Sequence, residues 1–116
     1  MQSFFFIHLN KQFIRINLHD IKYVEALAHH VKIYTDHGNF IHHLSLKQLE
    51  TKLPMDLFAR VNRSTLVPLQ RIVSFDKDTA FLKDKKFSFT DKYKKEFEEK
   101  VTILLHQENN AGKTPE

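Results

Sequence analysis

From Phe4 to Leu44 the chain is cut into short segments in which apolar and polar side chains alternate at every second position. "FFFIHLN" and "QFIRINL" are rich in aromatic and β-branched residues and are separated by the polar Asn10-Lys11 pair, which suits a hairpin. "IKYVEAL" places Ile21, Tyr23 and Glu25 on one side and Lys22, Val24 and Ala26 on the other. "HVKIYT" directs Val31 and Ile33 inward and Lys32 and Tyr34 outward, and "DHGN" (Asp36 to Asn39) reverses the chain. "FIHHLSL" then returns with Phe40, His42 and Leu44 facing one way. A period of two over so many short segments excludes an all-helical fold and predicts a mainly β domain with flanking helices.

Two helices interrupt the pattern. In "SLKQLETKLP", Ser45 is a good N-cap and Gln48 follows three residues later, as in a capping box. Leu46, Leu49 and Leu53 form one stripe, and Pro54 stops the helix. In "TDKYKKEFEEKVTILLHQ", Thr90 caps, Asp91 suits the helix dipole, and Tyr93, Phe97, Val101 and Leu104 recur at helical spacing. Between these helices "TLVPLQ", "RIVSFD", "TAFLKD" and "KKFSFT" read as short strands, with turns at Asp76-Lys77-Asp78 and Asp84-Lys85. The expected fold is therefore small antiparallel sheets, one short inner helix and a C-terminal helix. Residues 1–105 form one domain, and the polar stretch from His106 to Glu116 is expected to be a disordered tail.

A length of 116 residues suits one domain, and eleven Phe fill its core in the absence of Trp. No apolar run approaches the roughly 18–20 residues that cross a bilayer, and nothing frames Phe4-Phe5-Phe6-Ile7 as a signal peptide. Zero Cys excludes disulfides and thiolate chemistry and fits a reducing cytoplasm. Eighteen Lys+Arg against fourteen Asp+Glu give a net charge of +4, which is compatible with an anionic partner.

The order "DIKYVEALAHHVKIYTDHG", "HLSLKQLETKLP", "FARVNRSTLVPLQRIVSF", "FSFTDKYKKEF" resembles the LytTR DNA-binding domain, the output module of many bacterial response regulators. The resemblance runs from about Ile14 to about Val101. It is carried most specifically by "I-x-Y-V-E-A" at Ile21 to Ala26 and "F-x-R-x-x-R-S-x-L-V" at Phe58 to Val67. It implies loops that enter DNA major grooves, binding as pairs on repeated promoter elements, and a receiver domain ahead of this segment in a longer chain.

The resemblance directs attention to three segments. In "ALAHHVK", His29 and His30 can donate or accept at base edges and phosphates, and Lys32 can meet a phosphate. The bland alternative is solvated histidines, or packing for His30, where many members carry an aromatic residue. In "RVNRS", Arg63 offers a planar fork for guanine or phosphate, Asn62 an amide for adenine or phosphate. Arg60 and Ser64 are candidates with a more supporting character, since the arginine stem covers apolar side chains and the hydroxyl satisfies local backbone. Many relatives carry His where Asn62 stands and Asn where Pro68 stands. In "TDKYKK", a helix start with Lys92 and Lys95 suits phosphates, although Asp91 stands where the family often has a base.

Other function classes find less in the chain. There is no Gly-rich phosphate loop and no nucleophile with an evident base, so an enzyme is not expected, and no cofactor. A metal site from His29, His30, His42 and His43 is disfavoured because adjacent strand residues point to opposite faces. A basic module that binds an acidic protein or ligand is the stronger rival to duplex DNA.

Overall fold

The structure is a computed structural model that describes residues 3–106. Apart from His106, the tail expected to be disordered lies outside the described residues.

The chain opens with the hairpin β1 (Phe4–Leu9) and β2 (Gln12–Asn17), paired from Phe4↔Asn17 to Leu9↔Gln12. Asn10 and Lys11 form its two-residue turn with φ of 51° and 66°. Positive φ at both turn positions gives the twist that matches right-handed strands. Asn tolerates this conformation, whereas Lys is strained there by roughly 1–2 kcal/mol. Lys11→Gly is therefore expected to stabilise the domain by about 0.5–1 kcal/mol after the extra unfolded-state entropy of Gly is subtracted. A rise of a few degrees in Tm on thermal denaturation checks it.

A 3-10 turn at Leu18–Asp20 leads into the main sheet. Its strands are β3 (Ile21–Ala26), β4 (Val31–Thr35), β5 (Gly38–His42), β6 (Phe58–Asn62) and β7 (Thr65–Pro68), in the order β5-β4-β3-β7-β6. The β4–β5 reversal is held by Thr35, whose Oγ1 donates to the Gly38 carbonyl at 2.6 Å and accepts from His37 N–H at 3.1 Å. Gly38 has a φ of +135°, which side-chain-bearing residues rarely adopt.

Both faces of this sheet are buried. Val24, Val31, Ile33 and Leu66 meet Ile7 and Ile16 of the hairpin, Leu46 and Leu49 of the inner helix, and Leu53, which lies in the turn after that helix because the helix ends at Glu50 and does not run on to Pro54. Val61, Val67 and Tyr23 form a second core with Ala80, and Phe87 and Phe89 pack against it. This second layer is a three-stranded sheet of β8 (Ser74–Phe75), β9 (Thr79–Phe81) and β10 (Lys86–Ser88), in the order β10-β9-β8.

Two-sided burial corrects the alternation expected from sequence. Tyr34, expected to point outward, does leave the first core but stacks on Tyr23 with ring centroids 4.2 Å apart. Ile21 does not share a face with Tyr23, because a register shift between them moves Ile21 into the first core. A bulge adds a residue to one strand and so breaks the period of two. Tyr34 also donates its hydroxyl proton to Glu25 Oε1 at 3.1 Å. Burial first, then this hydrogen bond to a carboxylate, push the Tyr34 phenol up from 10.0 to about 12. The folded state thus favours the protonated phenol. Its contribution is fully present below the unfolded pKa near 10 and is lost as pH rises towards 12. Absorbance titration should show a late phenolate transition that Tyr34→Phe removes.

The inner helix α1 (Leu46–Glu50) has the full capping box, with Ser45 Oγ accepting from Gln48 N–H and Gln48 Oε1 accepting from Ser45 N–H. The last helix, α2, runs only from Asp91 to Glu98. The spacing through Val101 and Leu104 does not continue it: Ile103, Leu104 and Leu105 are exposed. Val101, Thr102 and Ile103 are β-branched and propagate a helix poorly. Lys100 moreover fastens the chain by donating to the Met55 and Phe58 carbonyls, each at 2.7 Å. Thr90 occupies the N-cap without a side-chain hydrogen bond, and its backbone N–H instead donates to the Val61 carbonyl. "RIVSFD" is mostly not strand: Leu69–Arg71 is a 3-10 turn, and only Ser74–Phe75 pairs.

Candidate nucleic-acid interface

Strand pairing brings the three candidate segments to one end of the main sheet. Ala26 N–H, at the start of the β3–β4 loop, donates to the Ser64 carbonyl at 2.8 Å, which seats the His29-His30 loop beside the β6–β7 turn. Leu27 N–H donates to the His30 carbonyl and closes that loop. The bond from Thr90 to Val61 sets the start of α2 against the same end of β6.

Arg60 locks this end together. Its side chain is only 13% exposed and meets Glu50 of α1, 23% exposed. Nη2 donates to Glu50 Oε1 at 3.2 Å, while Nε lies 3.0 Å from Oε2 without the alignment of a hydrogen bond. Nη1 donates to the Arg63 carbonyl at 2.8 Å and reaches the Tyr93 hydroxyl at 3.4 Å. One guanidinium thus ties α1, the β6–β7 turn and α2 together, and it faces inward.

Asn62 is also committed. Its Nδ2 donates to the Ser88 carbonyl at 2.8 Å, and its Oδ1 accepts from Ser64 N–H at 3.0 Å and Ser64 Oγ at 3.2 Å. The amide brackets the turn to β10, and the Ser64 hydroxyl is used inside the turn. Arg63 differs: its carbonyl is held by Arg60, its side chain is exposed, and among the described residues its guanidinium has no hydrogen-bond or ion-pair partner. The turn is fixed and the cationic fork is free.

Around this turn lies a polar cleft of about 580 Å³, lined by His29, His30, His43, Lys47, Arg60 and Arg63 among others. His30 packs edge to face on His43 with ring centroids 4.7 Å apart, whereas His29 is exposed. His43, which the sequence suggests only as a disfavoured metal ligand, and Lys47 are not among the DNA-contact candidates legible in the sequence. The one local signal was Lys47 standing two residues after the helix cap Ser45; their approach to His30 and Arg63 depends on long-range pairing. Glu50 of the inner helix is engaged by Arg60. Among the described residues no three His, Asp or Glu side chains gather as metal ligands.

Lys32 lies on the other face of the sheet from the cleft, with its ammonium 4.9 Å from the Tyr34 ring centroid. Lys92 is exposed beside the Tyr93 ring at 5.1 Å, and Lys95 is exposed with no ion pair among the described residues. Lys94, by contrast, pairs with Glu98 at 3.5 Å. Asp91 is exposed in the first turn of α2. Pro68 pairs with Phe58 at the opposite end of β7, away from Ser64, so the position where relatives carry Asn is not at this interface.

A β core that gathers histidines from a loop, a free guanidinium from a turn and lysines from a helix start at one end carries the groups a nucleic-acid-binding module needs. The profile of the LytTr DNA-binding domain family matches residues 11–102, and the chain belongs to that family. It is a DNA-binding domain by that membership. Among solved structures, the chain is similar to the LytTr DNA-binding domain of a methyl-accepting/DNA response regulator from Bacillus cereus. The TM-score is 0.73 at 19% identity, over 89% of this chain and 100% of that one. No curated protein matches the sequence. No helix among the described residues is long and apolar enough to cross a membrane.

Proposed function

We propose that this domain binds double-stranded DNA sequence-specifically as part of a cytoplasmic bacterial transcriptional regulator, reading the major groove of repeated promoter elements as a pair. The observation that carries this reading is the contrast at the β6–β7 turn: Arg60, Asn62 and Ser64 are spent on holding it, and Arg63 is left aimed outward. His29 and His30 supply adaptable contacts from the neighbouring loop. Lys92 and Lys95 supply phosphate contacts beside it, and Lys32 a further one from the sheet face. Arg60, Asn62 and Ser64 act through the turn they hold. The similar Bacillus cereus domain belongs to a response regulator, which supports a receiver domain as the partner of this unit in a longer chain.

In-vitro selection of bound duplexes from a random pool tests the reading. Recovery of a repeated motif, with a spacing near one helical turn or a multiple of it, supports paired binding. Recovery of no motif contradicts it. Phosphate contacts have a separate signature. Lys92→Ala should weaken all sequences alike and make the slope of log K against log salt shallower by about 1.

A further inference from the structure

The end of the domain opposite Arg63 carries two apolar features that none of the described residues covers. One is a groove of about 440 Å³ whose walls include Leu18, Pro54, Leu57, Phe58, Pro68 and Leu69. Leu57 on its wall is 50% exposed. The other is the triplet Ile103-Leu104-Leu105, where Leu104 is 92% and Leu105 85% exposed. Three adjacent aliphatic side chains in water are an unusual ending for a domain.

The two features are neighbours in the fold. Lys100 is fastened to the carbonyls of Met55 and Phe58, so the chain leaves the body beside the groove wall. Yet the triplet lies outside its own groove. We propose that Ile103-Leu104-Leu105 of one copy seats in the Pro54–Leu57/Pro68–Leu69 groove of a second copy, and that the exchange is reciprocal. Hook and groove share one end of the molecule, so two copies satisfy each other about a two-fold axis and the contact closes.

The area fits such a pair. Burying an aliphatic side chain removes on the order of 100 Å² from water. Six side chains and the groove walls they cover then bury roughly 1,200 Å², the lower end of a stable interface. The pairing is therefore concentration-dependent, and it leaves the Arg63 end of both copies uncovered. It needs no DNA, so its failure is distinct from failure of the DNA-binding reading.

The absence of Cys from the chain permits a clean test. Sedimentation equilibrium of the full chain without DNA should show a monomer–dimer equilibrium. Leu104→Asp with Leu105→Asp, both at exposed positions, should be monomeric with unchanged circular dichroism. Mixing Leu57→Cys protein with Leu104→Cys protein under mild oxidation should give a disulfide joining positions 57 and 104 of different chains. A wild type that stays monomeric up to millimolar concentration overturns the proposal, as does a double-Asp variant that still dimerises. A 57–104 disulfide formed only within one chain of the double-Cys variant also overturns it, since the hook would then cover its own groove.

Discussion

Arg60→Ala should destabilise the domain by about 2–4 kcal/mol, a large part of the stability of a chain this size. Removing the guanidinium leaves the Glu50 carboxylate in a mostly enclosed site with its cation gone. The Arg63 carbonyl and the Tyr93 hydroxyl lose their shared donor at the same time. The usual loss for breaking a buried pair is about 3–5 kcal/mol, and residual exposure of both partners lowers the figure here. Urea denaturation of Arg60→Ala, Glu50→Gln and the double variant measures it. The double variant should be clearly more stable than the sum of the single losses implies, because the unpaired charge is then absent. A near-zero coupling energy would mean that Arg60 does not hold α1 to β6. Where the variant is still folded, its DNA affinity should also fall, through the turn that presents Arg63.

Arg63→Ala should act in the opposite manner, with little change in stability and a large change in binding. Its guanidinium has no intramolecular partner among the described residues, so truncation breaks no contact within the fold. A bidentate contact to a base contributes about 1–3 kcal/mol of discrimination, which corresponds to a roughly 5- to 150-fold loss of affinity for a selected duplex. Binding to unrelated duplex should change much less, so the specificity ratio collapses. Arg63→Lys should not restore it, because a point charge lacks the planar fork. Fluorescence anisotropy at fixed salt, with selected and scrambled duplexes, separates these outcomes. Equal losses on both duplexes would reassign Arg63 to the phosphate backbone.

What could be read from the sequence was what neighbouring residues settle among themselves. The capping box of Ser45 and Gln48, the Asn10-Lys11 hairpin turn and the reversal at Gly38 each depend on a few adjacent positions, and each is present. The order of motifs supplied the family, and with it the three segments that converge at one end. What could not be read depends on distant partners. The register shift at Ile21, the second layer over Tyr34, and the stop of α2 at Glu98 with Lys100 bound to Met55 and Phe58 are of this kind. The same holds at the interface. Asn62 has the chemistry of a base reader, but its amide is used by Ser88, which is 26 positions away. His43 and Lys47 enter the cleft only because β5 and α1 fold back beside the β3–β4 loop.

Backbone amide NMR of the domain titrated with its selected duplex locates the contact surface directly. The largest shifts should fall at Leu27–His30, Asn62–Ser64 and Lys92–Lys95, with small shifts in the β1–β2 hairpin and at Ser74–Phe81. Shifts concentrated on the hairpin or on the three-stranded sheet, with the Arg63 turn unmoved, would contradict this placement of the contact surface.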